Sequence, residues 1–95
     1  MVASPLHATL VADVERVFTL NQNCGTIRIV VVSNPATIYF NTKNVPVPAV
    51  ASNQDGNQVV PPVLAAVDVP DETAGANSVV RLRSAGTPTV MVTGY

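Results

Sequence analysis

The chain has 95 residues and a formal net charge of −1, and only 12% of its residues are charged, about half the roughly 25% of an average soluble domain. This length supports one domain, residues 1–95, and the five scattered cations exclude the basic patch that nucleic-acid binding needs. One cysteine and one histidine exclude an internal disulfide and a structural zinc site, so we expect no metal, no other cofactor and no catalytic residues.

Short β-strands are the secondary structure predicted along the chain. Valine occupies 19 of the 95 positions, and valine, isoleucine and threonine favour strands. Eight prolines and five glycines interrupt the sequence at short intervals, as expected between short strands. Residues 8–20 are predicted to be an extended stretch with a break near Asp13, in which Phe18 and Leu20 share one face. A turn follows at residues 21–25.

The clearest strand pattern covers residues 26–33. Ile27, Ile29 and Val31 alternate with residues of the opposite face, and we expect this strand to be central in its sheet. Residues 36–41 are predicted to form the next strand, separated from the first by a short turn. The two strands are expected to pair as a hairpin.

A long loop is predicted for the middle of the chain. Residues 42–58 are rich in asparagine, proline, glutamine, aspartate and glycine. Pro61 and Pro62 cannot lie in a central strand, because neither can donate a ladder hydrogen bond. Residues 63–69 are therefore predicted to be an edge strand.

These elements predict an all-β fold, a small antiparallel β-sandwich of the jelly-roll or Greek-key type. Residues 78–84 and 87–94 are expected to form a second hairpin at the end of the chain. A long connection with a hairpin on either side of it is what a Greek-key sandwich requires. Residues 1–10, which carry no charge apart from His7, are expected to be an extended N-terminal arm.

Two pairs of like charges lie two residues apart. Asp13 and Glu15 would share one face of an extended strand, but paired catalytic carboxylates normally come from separate elements around a cleft. We interpret them as a solvated strand edge or as partners of an arginine. Arg81 and Arg83 also share one face, and they are expected either to pair across strands with Glu15 or Asp13 or to contact an acidic partner protein.

The low charge of the middle segment indicates association with other proteins. Residues 45–50 and 59–69 would give a monomer an uncharged, partly apolar edge, unless they fold back over the sandwich as a lid. Residues 1–10 are expected to exchange with a neighbouring copy, or else to be a frayed end. The residues predicted to contact a second copy or a capsid are Val2, Pro5, Leu6, His7, Val45, Pro46, Val47, Pro48, Val60, Pro61, Arg81 and Arg83.

The composition, the length and the final segment SVVRLRSAGTPTVMVTGY carry a family resemblance. In these features the chain resembles the small all-β virion proteins of tailed bacteriophages, and among them the capsid decoration, or cement, proteins. The resemblance implies a jelly-roll or related sandwich that assembles as a homotrimer. It also implies binding to the outside of a capsid lattice, where the trimer clamps neighbouring major capsid subunits. No individual functional residue is transferred by it.

We therefore expect a structural virion protein and not an enzyme. Its expected partners are copies of itself and the major capsid protein or another virion protein, with neither nucleic acid nor membrane. Residues 1–10 lack a basic segment followed by an apolar one, so we expect synthesis in a host cytoplasm without a signal peptide. The alternatives are a tail or head-fibre component, or a carbohydrate-binding or adhesin module with a site near Tyr39 and Asn41.

Overall fold

The computed structural model describes residues 3–48 and 57–95 of the chain. Eight β-strands and no helix occur within these residues, so they contain no helix that could serve as a membrane span. The strands are β1 (Leu6–Thr9), β2 (Arg16–Thr19), β3 (Thr26–Ser33), β4 (Ile38–Asn41), β5 (Gln58–Val60), β6 (Ala66–Pro70), β7 (Val79–Ser84) and β8 (Thr89–Gly94).

The strands form two four-stranded antiparallel sheets. Sheet A has the order β1-β8-β3-β6, and sheet B has the order β2-β7-β4-β5. Apart from β4 and β5, each strand lies in the other sheet from the strand before it. This interleaved order of eight strands in two sheets is that of a jelly roll, so the predicted antiparallel β-sandwich is confirmed.

The inward-facing side chains of both sheets form one apolar core. In β3, Ile27 and Ile29 are fully buried, while Arg28 between them faces outward. Phe40 of β4 is the largest fully buried side chain. The cluster between the sheets also contains Ala3, Leu10, Phe18, Leu20, Cys24, Val31, Ile38, Val60, Val69, Val80, Leu82, Val90 and Val92.

Several sequence-based predictions are confirmed. The predicted strand 26–33 corresponds to β3, which is central in sheet A between β8 and β6. The edge strand predicted within residues 63–69 corresponds to β6, which lies at the edge of sheet A. Pro61 and Pro62 lie between β5 and β6, outside any ladder. Asp13 interrupts the first extended stretch, because its φ of 61° lies in the left-handed region.

Both predicted hairpins are wrong. β3 and β4 lie in opposite sheets, and so do β7 and β8. Alternation indicates which residues face the core, but it cannot distinguish a turn within a sheet from a connection between sheets. The two connections run side by side: Asn34 Nδ2 donates to Thr87 Oγ1 at 2.9 Å. A Cβ at Gly86 would lie 2.7 Å from the Cβ of Ala36, so this close approach requires glycine.

The predicted N-terminal arm is also corrected. Residues 6–9 form β1, which pairs with β8 along its whole length. Leu6 and Ala8 pack against the core, and Leu10 is fully buried just after the strand. Residues 3–10 therefore belong to the sandwich, because their alternation supplies an inward face. Residues 1 and 2, and residues 49–56 of the predicted middle loop, lie outside the described residues.

Replacing Ile29 with aspartate is expected to prevent folding. Ile29 is fully buried, and an unpaired carboxylate there costs roughly 4–5 kcal/mol or more, comparable to the whole stability of a small domain. Circular dichroism and proton NMR should show an unfolded chain. Val32→Asp is the control on the same strand, since Val32 is 51% exposed; it should fold. A folded Ile29→Asp protein would disprove the orientation of β3.

Candidate association surfaces

The outer side of sheet A is a nearly uncharged surface, which we call the open face. Its side chains are half-buried or exposed and come from all four strands. One row across the sheet runs from His7 to Met91, Val30 and Ala66. The hydroxyl groups of Thr9 and Thr89 are hydrogen-bonded at 2.9 Å. The open face consists of His7, Thr9, Arg28, Val30, Val32, Ala66, Asp68, Thr89, Met91 and Thr93.

A neutralised ion pair lies at one end of the open face. Arg28 donates to both carboxylate oxygens of Asp68, from Nε at 2.7 Å and from Nη2 at 2.9 Å. Tyr95 places its ring 5.5 Å from the Arg28 guanidinium carbon, and its hydroxyl donates to Asp68 at 3.1 Å. The hydrogen bonds from Arg28 lower the pKa of Asp68, and those to Asp68 raise the pKa of Arg28. Both charges on this face are thus already paired within the chain.

Exposed apolar side chains lie at the opposite end, next to the last residues of β3. Val31 N donates to the carbonyl of Ala65 at 2.9 Å, so the residues just before β6 lie beside the end of β3. Val32 is 51% exposed, Val63 48% and Leu64 64%. We call Val32, Val63 and Leu64 the apolar tip.

The outer side of sheet B is covered in part by residues 43–48, which we call the strap. Arg81 and Arg83 point outward from β7 towards it. Arg83 Nε donates to the carbonyl of Val47 at 2.8 Å, and its Nη1 donates to the carbonyl of Asp13. Arg81 Nη1 donates to Glu15 Oε1 at 2.9 Å, which is one of the alternatives predicted for the two arginines. Glu15 is therefore the partner of an arginine.

The predicted contact residues do not lie on one surface. Pro5 and His7 are exposed on or beside β1 of sheet A, and Leu6 faces inward. Val45, Pro46 and Pro48 are exposed on the strap, and Pro61 is exposed after β5. Val2 lies outside the described residues.

Two predicted contact residues are corrected. Val47 is 1% exposed and Val60 is fully buried, so neither side chain is available to a partner in the folded chain. Val60 faces inward from β5 because it lies opposite Ile38 of the core. Two further predicted contact residues already have partners within the chain. Arg81 binds the Glu15 carboxylate, and Arg83 binds the main-chain carbonyls of Val47 and Asp13.

The exposure expected for Asn41, beside Tyr39, is also corrected. Asn41 is 2% exposed, and its side chain holds the main chain of the strap. Its amide nitrogen donates to the carbonyl of Val45 at 2.7 Å and to Asn57 Oδ1 at 3.0 Å. Its amide oxygen accepts from the main-chain nitrogens of Lys43 and Val45. A ligand could not use this amide without displacing the strap.

The sequence analysis missed the open face as a surface. It placed Arg28 and Val30 on the face of the predicted strand opposite Ile27 and Ile29, but the partner strands were unknown. Arg28 and Asp68 are 40 residues apart and become opposite neighbours only through the register of β3 and β6. The one sequence signal for this ion pair was that each of the two strands carries a charged residue, Arg28 in β3 and Asp68 in β6.

Comparisons with known proteins show the fold alone. No family model matches the chain, and no curated protein matches it. One similar solved structure is hydroxypropylphosphonic acid epoxidase from S. wedmorenis in complex with fosfomycin, with a TM-score of 0.53 and 11% identity over 98% of this chain. Another is cobalt(II) HppE in complex with substrate, with a TM-score of 0.50 and 11% identity over 96% of this chain. This chain spans 43% of the length of each of those proteins.

A metal site would need several ligands close together. In the part of the chain that the structure describes, no three histidine, cysteine, aspartate or glutamate side chains form such a group. The side chains between the sheets there are predominantly apolar.

Replacing Arg28 with glutamine should raise the pKa of Asp68 towards the ordinary aspartate value. In the folded protein the pKa of Asp68 is lowered chiefly by its hydrogen bonds from Arg28. The pair therefore stabilises the fold at pH values above the unfolded pKa of about 3.9. This stabilisation is lost as the pH falls through the lower pKa of the folded state. Carbon-13 NMR titration of the carboxyl group measures the change. Arg16→Gln, at an arginine that packs on Phe18 of sheet B, is the control. An Asp68 titration that does not move in Arg28→Gln would refute the assignment.

Proposed function

We propose that this protein is a structural virion protein, a capsid decoration protein that binds the assembled major capsid lattice through its open face. The observation that carries the proposal is the chemistry of the open face. Its two charged side chains, Arg28 and Asp68, are paired with each other, and the face ends in the apolar tip. The resemblance to bacteriophage decoration proteins supports the choice of partner. The proposal places the protein in the virion and assigns it no catalytic activity.

The neutralised ion pair makes the open face suitable for burial against another protein. Burying a charge that lacks a partner is strongly unfavourable, whereas Arg28 and Asp68 satisfy each other through two hydrogen bonds before any partner arrives. The central row, with Val30, Met91 and Ala66, offers apolar contact area. A contiguous apolar surface on a small protein is a common sign of an association site.

The size of the open face favours attachment by several copies at once. Four strands about 4.8 Å apart and five residues of about 3.4 Å each give a flat area of roughly 330 Å². One partner contributes roughly 800 Å² to a standard stable interface. A single copy would therefore bind weakly. We propose that a homotrimer binds the repeating lattice, so that the linked contacts raise the overall affinity.

Stabilisation of the capsid then follows from mass action. A protein that binds the assembled lattice, and not its free subunits, adds its binding free energy to the stability of the assembled state. The contribution grows with the logarithm of the protein concentration relative to the dissociation constant. No chemical step is required of the decoration protein.

Val30→Glu should weaken capsid binding at least tenfold. Val30 is half-buried in the central row of the open face, and the new carboxylate would be buried without a partner. Co-sedimentation with capsids that lack the protein measures binding. Val59→Glu is the matched control, because Val59 points outward from sheet B and is 39% exposed; it should bind as the wild type does. Equal binding of wild type and Val30→Glu would rule out the open face.

The free protein should have the mass of a trimer, roughly 30 kDa from a 9.9 kDa chain. We place the contact between copies at the apolar tip, where Leu64 is 64% exposed. Light scattering should show that Leu64→Asp shifts the mass towards that of one chain, while Val59→Asp leaves it unchanged. A wild-type monomer at every concentration would exclude the trimer.

A further inference from the structure

The strap is joined to the sandwich by side chains. Among residues 3–48 and 57–95, no main-chain to main-chain hydrogen bond connects residues 43–48 to a strand. By contrast, the connection before β3 is held by main-chain bonds such as Gly25 N to the carbonyl of Tyr95 at 3.1 Å. The described attachments of the strap are made by side chains.

Among the described residues, four side chains outside the strap form hydrogen bonds with it. Asn41 accepts from the main-chain nitrogens of Lys43 and Val45 at 3.1 and 3.2 Å. Arg81 Nε donates to the side chain of Asn44 at 2.9 Å, and Arg83 binds the carbonyl of Val47. The fourth is Glu15, whose second carboxylate oxygen accepts from Val47 N.

Little apolar surface holds the strap down. Five of its six residues are exposed, and Val47 is the buried one. Val47 is not part of the cluster that fills the space between the sheets. Segments with few buried apolar contacts open at a lower free energy than the strands of a core. The sandwich core can therefore stay intact while the strap opens.

Glu15 has the central position among the attachments. Its two oxygens bind two different elements, Arg81 of β7 and Val47 of the strap. The ion pair is shielded from solvent, with side-chain exposures of 23% for Arg81 and 17% for Glu15. The strap itself forms an ion pair through Lys43, which lies 3.4 Å from Glu72, and both of these side chains are about half exposed. Exposed pairs of this kind contribute little.

We propose that the strap opens as one unit while the sandwich stays folded, and that the Glu15 carboxylate holds it closed over sheet B. We call the closed strap the clasp and Glu15 its latch. Opening separates Val47 from Glu15 and Arg83, and it exposes Val47 and both guanidinium groups on the outer side of β7. This side is opposite the open face, so the clasp does not depend on the proposed capsid contact.

Native-state hydrogen exchange of the full chain, read by NMR, tests the clasp in Glu15→Gln. The informative amide is that of Val45, because its acceptor is Asn41, which the substitution leaves in place. If the strap opens as a unit, the exchange rates of both Val45 and Val47 should rise roughly tenfold. The amide of Ile29 in the core should keep its wild-type rate.

Glu72→Gln is the matched control, since it removes the exposed partner of Lys43 in the same strap; its Val45 and Val47 rates should stay at the wild-type values. Three outcomes would overturn the proposal. The Val45 rate could stay unchanged in Glu15→Gln, which would mean that Glu15 protects only the Val47 amide that it binds and does not hold the whole strap. The Ile29 rate could rise in parallel, so that the strap opens only by global unfolding. Glu72→Gln could accelerate exchange as much as Glu15→Gln, so that Glu15 is no latch.

Discussion

Face-to-face burial of the two sheets is the constraint on which the rest of the structure depends. Ile29 lies at the centre of sheet A, between Val92 of β8 and Val67 of β6. Opposite this sheet, β4 of sheet B supplies Phe40, the largest fully buried side chain. Because each strand presents alternate residues inward, most inward-facing side chains of the eight strands belong to the core. The remaining side chains form the two outer faces, and those faces are where functional differences arise.

The two outer faces handle charge in different ways. On sheet B, Arg81 and Arg83 are bound to Glu15 and to main-chain carbonyls of other segments, so their charges hold the strap in place. On sheet A, Arg28 and Asp68 neutralise each other across adjacent strands and leave the rest of the face free. Because the charges of the open face are already paired with each other, a partner can bury that face without burying an unpaired charge. The outer side of sheet B can be buried by a partner only after the strap has moved.

The fold itself does not determine the function. The similar solved structures share 11% identity with this chain and are more than twice its length, and one sandwich architecture supports many unrelated activities. The function proposed therefore rests on the surface chemistry of the open face together with the resemblance to decoration proteins. The clasp rests on different contacts, those of residues 43–48, and stands independently of it.

The amino-acid sequence by itself determined the fold class, the bounds of β3, the break at Asp13 and the edge position of β6. These features depend on local properties: alternation at a period of two, the left-handed conformation that aspartate tolerates, and the missing donors of proline. It also offered Glu15, beside Asp13 or an acidic partner protein, as a partner for Arg81 and Arg83, because charged side chains on extended segments need partners.

Only the tertiary structure decided which sheet each strand joins, and with it the open face and the strap. The turns after β3 and β7 have the same composition whether the chain doubles back in one sheet or passes to the other, since packing between distant segments selects the route. Arg28 and Asp68, which are 40 residues apart, become neighbours only through strand register. The main chain of Val47 is held by the side chains of Glu15 and Arg83, which come from two other segments, and no local pattern encodes such long-range contacts.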